Sequence, residues 1–302
     1  MTSLQPELLQ NPEIPRNLQA AILLISKTIS SDSFPREFRP PDGWQLVKIM
    51  DDREYEQEIV DFNKGHIHQV RLQKLRQLEA EIRKSAQESM IRVGVEDGKI
   101  RIRKSLFTDD PSGDFWVSQL AHELGHFSSA TIVEPLNSLD AKGLADEIRQ
   151  AGFSCLPSDF KLWRHGLLEA VHFEGKQVAV LPNETGIYGN FFDELYANIF
   201  RFYLVAHVFM VEKKMPFKQA VSALGKWPPL HYLSSEVQRR YFSGVMEYAK
   251  EVGWERLIRA GMSSDLRGFL VAGDEVLGKE RNQKALKSLY TVHGRFRLTG
   301  TV

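Results

Sequence analysis

The chain of 302 residues carries 39 basic and 39 acidic side chains, and this balance gives no strong nucleic-acid signal because nucleic-acid-binding surfaces are usually basic. Its hydrophobic content of 42% and charged content of 26% describe an ordinary soluble globular protein, long enough for one large domain or two lobes. The single cysteine, Cys155, excludes an intrachain disulfide and fits a reducing compartment.

The first ninety residues are predicted to form helix, linker and helix. A short, largely buried helix is predicted over 16–30, and the prolines and glycine of 34–44 then indicate a loop or linker. Residues 51–90 are strongly helical in composition, with Gly65 as an expected break. The charges on the other faces of this second helical segment are interpreted as a solvated surface rather than a partner surface.

The hydrophobic pattern changes to a period of two at residues 90–107, which read MIRVGVEDGKIRIRKSLF. Apolar residues alternate on two arms around Asp97-Gly98, a pair typical of tight turns, so a β-hairpin is predicted. A helix is predicted next, from about 115 to 127. Either Ser112 or Asp114 can cap its N-terminus.

The rest of the chain is predicted to be mostly helical. A helix over 141–151 is followed by a second hairpin at 167–182 and by a long helix over 190–214. The segment KWPPLHYLSS at 226–235 indicates a rigid loop, and helices continue to about residue 289.

The predicted fold class is α+β: mostly helical, with a small, mainly antiparallel sheet beside the helix at 115–127. Three segments are expected. Residues 1–45 form an N-terminal helix and Pro-rich linker. Residues 46–189 hold a helix, the first hairpin, the helix at 115–127 and an inserted second hairpin, and residues 190–302 form a helical C-terminal lobe. The strongest candidate site lies between the second and third segments.

The helix predicted at 115–127 contains the sequence AHELGH. His122 and His126 are four residues apart, so both imidazoles project from one face of a helix. The pattern His-Glu-x-x-His holds zinc through both imidazoles and uses the glutamate, here Glu123, as the general base. Gly125 is interpreted as a place where another element approaches closely, or else as a tolerated small residue. A chance match on an amphipathic helix is the alternative for the whole motif.

A catalytic zinc site usually has three protein ligands and one water. The metzincin arrangement would need Gly and His three and six residues after His126, where this chain has Ser129 and Ile132. The third ligand is therefore expected further along the chain.

Glu194 is the best candidate for the third ligand. It lies in a segment that is apolar almost all round, as buried helices are, and it forms a polar stripe there with Asn198 and Arg201 at i, i+4 and i+7. Buried charges are costly unless they are paired or bound to a metal. The alternative is that Glu194 and Arg201 pair with partners elsewhere in the fold. The fallback oxygen ligands are Asp193, Glu134 and Glu184.

These two motifs carry a family resemblance. His-Glu-Leu-Gly-His at 122–126, followed by Glu-Leu-Tyr-Ala-Asn at 194–198, resembles zincin metallopeptidases of the gluzincin type. More narrowly, Glu-x-x-Ala-Asn-x-Phe from Glu194 resembles the ImmA/IrrE-like peptidases, although Arg201 stands where their pattern ends in Ala. The resemblance implies Zn²⁺ held by two histidines and a helical glutamate.

The resemblance also implies an edge strand that pairs with an extended substrate, for which 100–107 is the candidate; an ordinary core hairpin is the alternative. The transition state needs a hydrogen-bond donor as well. Four side chains are candidates for that role or for supporting the ligands beside Asn198: Tyr188, Arg201, His231 and Tyr232. The remaining histidines considered are interpreted as structural, namely His165, His172 and His207.

The leading hypothesis is a cytoplasmic zinc-dependent endopeptidase that acts on a peptide or protein substrate. The N-terminus lacks the features of a signal peptide, and the apolar segments at 20–25 and 202–211 are too short to span a bilayer, so no membrane partner is expected. The sequence carries no signal for an oligomeric state. One alternative is a metal-binding regulatory or scaffold protein whose long helices bind a protein partner. The other is an α-rich binding module with an accidental motif.

Overall fold

The computed structural model describes residues 14–40, 47–65, 91–94, 99–107, 112–128, 169–173, 176–180, 186–227, 236–262 and 266–299. Within these ranges the chain is mostly helical with two small sheets, so the predicted α+β class is confirmed. The predicted helix at 141–151 and most of the loop at 226–235 lie outside the described residues.

The elements are numbered in chain order. The helices are α1 (Arg16–Ser30), α2 (Asp52–Gly65), α3 (Gly113–Ser128), α4 (Gly186–Lys213), α5 (Phe217–Leu224), α6 (Glu236–Val252), α7 (Trp254–Met262), α8 (Leu266–Leu277) and α9 (Lys279–Thr299). The strands are β1 (Val47–Met50), β2 (Ile91–Gly94), β3 (Lys99–Arg103), β4 (Glu169–Phe173) and β5 (Lys176–Val180). Two 3-10 helices span Arg36–Phe38 and Lys104–Phe107.

The three helices with the clearest sequence signals agree closely with prediction. Helix α1 has the predicted bounds, and α3 extends the predicted helix by two residues at its start and one at its end. Helix α4 begins at Gly186, four residues earlier than predicted. Its first turn contains two glycines, which are weak helix formers, so local helix propensity does not predict this turn.

The three-stranded sheet has the order β1-β3-β2. The predicted first hairpin is confirmed by the antiparallel pair β2–β3, in which Ile91 lies opposite Ile102. Strand β1, however, pairs in parallel with β3, so the expectation of a mainly antiparallel sheet is wrong here. Parallel strands need a long crossover connection, and the segment that includes α2 supplies it. The second hairpin is confirmed by the antiparallel pair β4–β5.

Strand β3 is central rather than exposed. Over Ile100–Ile102 it is paired with β1 on one side and with β2 on the other, and the following residues form a 3-10 helix. The prediction that residues 100–107 offer a free edge to a substrate is therefore wrong. Strand β2 lies at the edge of this sheet and contacts α3.

Helix α2 is tied to the sheet by ion pairs. Arg103 on β3 lies 3.1 Å from both Asp52 and Glu56, and its guanidinium lies over the ring of Tyr55 at 5.6 Å. Arg101 is likewise paired with Glu58. This charged interface stabilises the sheet at a place that does not include the candidate site residues.

Helix α4 is the centre of the core. It packs against α1, α3, α5, α6 and α7, and its side chains from Leu195 to Phe209 are buried. A helix that is apolar all round is expected to be enclosed in this way. The 34–40 segment, predicted to be loop or linker, is anchored on α4, because the rings of Phe34 and Phe38 pack against Tyr203 at 5.9 and 6.0 Å. Among the described helices, none combines the length and hydropathy that a bilayer-spanning segment requires.

Candidate metal centre

Helix α3 presents the motif at one edge of the core. Its N-terminus is capped by Ser112, whose hydroxyl oxygen accepts a hydrogen bond from the Phe115 amide at 3.3 Å, which decides between the two predicted caps. The apolar face buries Trp116, Leu120 and Leu124 completely. His122 and His126 lie beside this apolar face and remain partly exposed. The buried face therefore anchors the helix, and the two imidazoles stay accessible.

Gly125 brings α3 against α4. A Cβ atom at position 125 would lie 2.6 Å from the Cα atom of Ala197 and 2.9 Å from its carbonyl oxygen, so any larger residue would push the helices apart. The interpretation of Gly125 as a point of close approach is thus confirmed. Because Ala197 follows Glu194 by three residues, this contact sets the Glu194 carboxylate opposite the two histidines.

His122, His126 and Glu194 converge. The two Nε2 atoms lie 3.2 Å apart, Glu194 Oε2 lies 3.4 Å from His122 Nε2, and Glu194 Oε1 lies 3.8 Å from His126 Nε2. One ligand atom from each residue can be chosen so that all three lie within 4.8 Å of one another, and the group can hold a metal ion. The imidazole planes are nearly perpendicular, at 83°.

The protonation and exposure of these groups fit metal binding. Burial lowers the pKa of His122 to about 4, although the neighbouring Glu194 carboxylate acts in the opposite direction, so this imidazole is neutral at pH 7. Metal ligation requires the neutral form. The side chains of His122, His126 and Glu194 are 14%, 18% and 25% exposed, so the ligand atoms are held by the core yet not sealed within it.

Asn198 and Arg201 lie on the same face of α4 as Glu194, as predicted, and both are buried. The Asn198 side-chain amide donates a hydrogen bond to the Glu194 carbonyl oxygen at 2.6 Å. Burial lowers the pKa of Arg201 to about 10, while the Glu194 carboxylate acts to raise it, so the guanidinium stays charged at pH 7.

Tyr241 on α6 is a site neighbour that the sequence analysis missed. It is buried, it interacts with Asn198, and the negative charge of Glu194 adds to burial in raising its pKa well above the usual value. No sequence motif connects α6 to α4. Its position on the buried face of an amphipathic helix was the only available signal.

Glu123 is 7% exposed and adjacent in the chain to the first ligand. Its carboxylate is not one of the three groups that could together hold a metal ion.

Several predicted residues are not placed in detail. The backbone of Tyr188 and Asp193 lies in α4 and that of His172 in β4, but their side chains are outside the described part of the structure. The candidates wholly outside the described residues are Glu134, His165, Glu184, His231 and Tyr232.

His207 is placed as the sequence analysis expected. It lies on α4 away from the ligand group, and burial lowers its pKa to about 4. Its ring packs with three aromatic rings, those of Phe34, Tyr203 and Phe217. This histidine is part of the core.

Protein-family models, curated proteins and solved structures were all compared with the chain, and none of them matches. The resemblance of the two motifs to zincin peptidases thus stays a prediction. The chemistry that the centre can perform is inferred from its own residues and their geometry.

Proposed function

We propose that the protein is a zinc-dependent endopeptidase. The observation that carries this proposal is the convergence of two imidazole nitrogens and one carboxylate from α3 and α4, next to the buried carboxylate of Glu123. Zinc bonds of about 2.0–2.2 Å in tetrahedral geometry place two ligand atoms about 3.3–3.6 Å apart. The two imidazole nitrogens are 3.2 Å apart, and the distances of 3.4 and 3.8 Å from them to the two different oxygens of Glu194 also lie close to this range.

Each residue has a separate role in the proposed reaction. A zinc ion bound by His122, His126 and Glu194 would lower the pKa of its water to about 7 and polarise the substrate carbonyl. Glu123 accepts a proton from the attacking water and delivers it to the leaving amine. The intact Glu123 favours catalysis over a purely structural zinc site, which has no need of a general base.

Asn198 supports the ligands from behind. The buried Nδ1 atom of His122 and the buried Oδ1 atom of Asn198 both lack a hydrogen-bond partner in the described part of the chain. When Nε2 of His122 ligates a metal, its Nδ1 carries the proton and needs an acceptor. We infer that Asn198 Oδ1, which has no other partner in the described part of the chain, is that acceptor.

The substrate is an extended peptide or protein segment. Strand β2 contacts α3 and, among the described strands, pairs on one side only, with β3. An extended peptide added to its other edge gains main-chain hydrogen bonds with little side-chain specificity. The single cysteine accords with a cytoplasmic location for this enzyme.

Elemental analysis tests the metal. The wild type should contain about one zinc ion per chain, and Glu194→Ala should contain far less while circular dichroism shows it folded. A wild type that takes up no zinc after incubation with the metal would refute the proposal. If the zinc content of Glu194→Ala equalled that of the wild type, the third ligand would be another carboxylate.

Glu123→Gln tests the chemistry. It should keep zinc and stability but lose cleavage of a peptide library by about 10²–10⁴-fold, because the general base is gone. Zinc binding without cleavage by the wild type would instead favour the alternative of a metal-binding regulatory or scaffold protein.

A further inference from the structure

Arg201 is a buried cation with hydrogen-bond donors left over. Arg201 is 5% exposed, and its guanidinium carbon lies 4.8 Å from the ring centroid of Phe202 and 4.4 Å from that of Phe242. Its Nε and Nη2 atoms find no hydrogen-bond acceptor in the described part of the structure. A buried charge in this condition is costly unless an opposite charge compensates it.

Glu194 is the candidate for the compensating charge. The two residues lie two turns apart on one face of α4, and side chains on a helix lean toward its N-terminus, which carries Arg201 toward Glu194. Among the charges that act on the guanidinium, the Glu194 carboxylate acts most strongly. Asn198 lies between them and holds the Glu194 backbone through its 2.6 Å hydrogen bond.

We propose that Arg201 is the internal counter-charge of Glu194 in the metal centre. The guanidinium offsets the negative charge of the Glu194 carboxylate in the metal-free centre. A divalent cation then meets a fixed positive charge, and Arg201 weakens metal affinity while it stabilises the metal-free fold.

A double-mutant cycle tests the pairing without metal. Urea unfolding in the presence of a chelator is compared for the wild type, Glu194→Gln, Arg201→Met and the double variant. Each single change leaves one of the two charges without its counter-charge, so the double variant should lose less stability than the sum of the two single losses. The coupling should reach at least about tenfold in the unfolding equilibrium constant. Additive losses would overturn the proposal.

Arg103 supplies the matched control. It is also buried and lies over an aromatic ring, but its charge partners are Asp52 and Glu56. Glu194→Gln combined with Arg103→Met should therefore be additive. If Arg201→Met does not fold by itself, a folded double variant is the expected rescue, and a double variant no more stable than the single one overturns the pairing.

Zinc affinity separates a counter-charge from simple packing. Arg201→Met should bind zinc at least about tenfold more tightly than the wild type, because the repulsion is removed, and Arg201→Lys should resemble the wild type. Unchanged or weaker affinity in a folded Arg201→Met would overturn the proposal. This zinc experiment rests on the proposed metal centre. A wild type that binds no zinc would refute the peptidase proposal but not the charge pairing, which the double-mutant cycle in chelator still tests.

Discussion

Burial lowers the pKa of His122 on α3 and of His207 on α4 to about 4, although His207 is buried in the core and His122 stays partly exposed at its edge. Their neighbours differ. The Nε2 atom of His122 lies 3.2 Å from that of His126 and 3.4 Å from a Glu194 oxygen. His207 lies among the rings of Phe34, Tyr203 and Phe217, with centroid distances of 5.2, 4.6 and 5.3 Å.

The comparison shows what burial does and what it does not do. Burial makes both imidazoles neutral at pH 7, which is the form that binds metal. Of the two histidines, only His122 has other potential metal-ligand atoms beside it, because the contact of Gly125 with Ala197 sets Glu194 against α3. Neighbouring ligand atoms, rather than the pKa of the imidazole, therefore decide whether a neutral histidine could help to hold a metal ion.

The largest expected difference between the two histidines is in zinc binding. Structural zinc binding of about 10–16 kcal/mol shared among four ligands gives on the order of 3 kcal/mol each, so His122→Ala should weaken zinc binding by about 100-fold or more. His207→Phe should leave it unchanged, since its neighbours are aromatic rings. Competition with a chromophoric chelator measures both. Equal losses in the two variants would remove the distinction.

The pH dependence of stability should reveal His207. Its pKa is about 6.5 in the unfolded chain and about 4 in the folded one, so the unfolded state binds more protons between these values. The contribution of His207 to the free energy of unfolding is therefore complete above pH 6.5. It decreases by up to about 3 kcal/mol as the pH drops toward 4.

His207→Phe should remove that share of the pH dependence. Urea unfolding of metal-free protein from about pH 7 to about pH 4.5 measures the slope, and the slope that remains belongs to the other histidines and the carboxylates. An unchanged slope would mean that His207 does not become more basic on unfolding.

Gly125→Ala should disturb the metal centre through helix packing alone. The added Cβ would meet backbone atoms of Ala197 at 2.6–3.1 Å, so α3 and α4 must separate, at a cost of about 1–3 kcal/mol in unfolding free energy and with weaker zinc binding. Gly113→Ala is the control on the same helix, because a Cβ there meets nothing within 4 Å. Similar effects of the two substitutions would contradict the assigned role of Gly125.

The smallest expected effect concerns Asn198. Asn198→Leu removes the proposed acceptor for Nδ1 of His122 and should weaken zinc binding by about tenfold. Asn282 is the matched control, since it is equally buried but bonded to Tyr248 and Asp274. Asn282→Leu should lower stability and leave zinc affinity at the wild-type value. Loss of affinity in both variants would point to general destabilisation.

Local sequence patterns determined much of this protein. The spacing of apolar side chains predicted α1, α3 and α4, and the alternating pattern predicted both hairpins. The i, i+4 spacing placed His122 and His126 on one helix face, and the polar stripe marked Glu194. These features depend on residues within one or two turns of each other, so the sequence alone can specify them.

Only the tertiary structure decided which distant groups meet. It placed Glu194 against the histidines, paired β1 in parallel with β3, and brought Tyr241 of α6 beside Asn198. It also fixed Phe34, in a segment predicted to be loop or linker, in the aromatic surroundings of His207. Such contacts arise because packed helices and strands must fit their surfaces together, and a glycine that admits a neighbouring backbone has no periodic signal of its own.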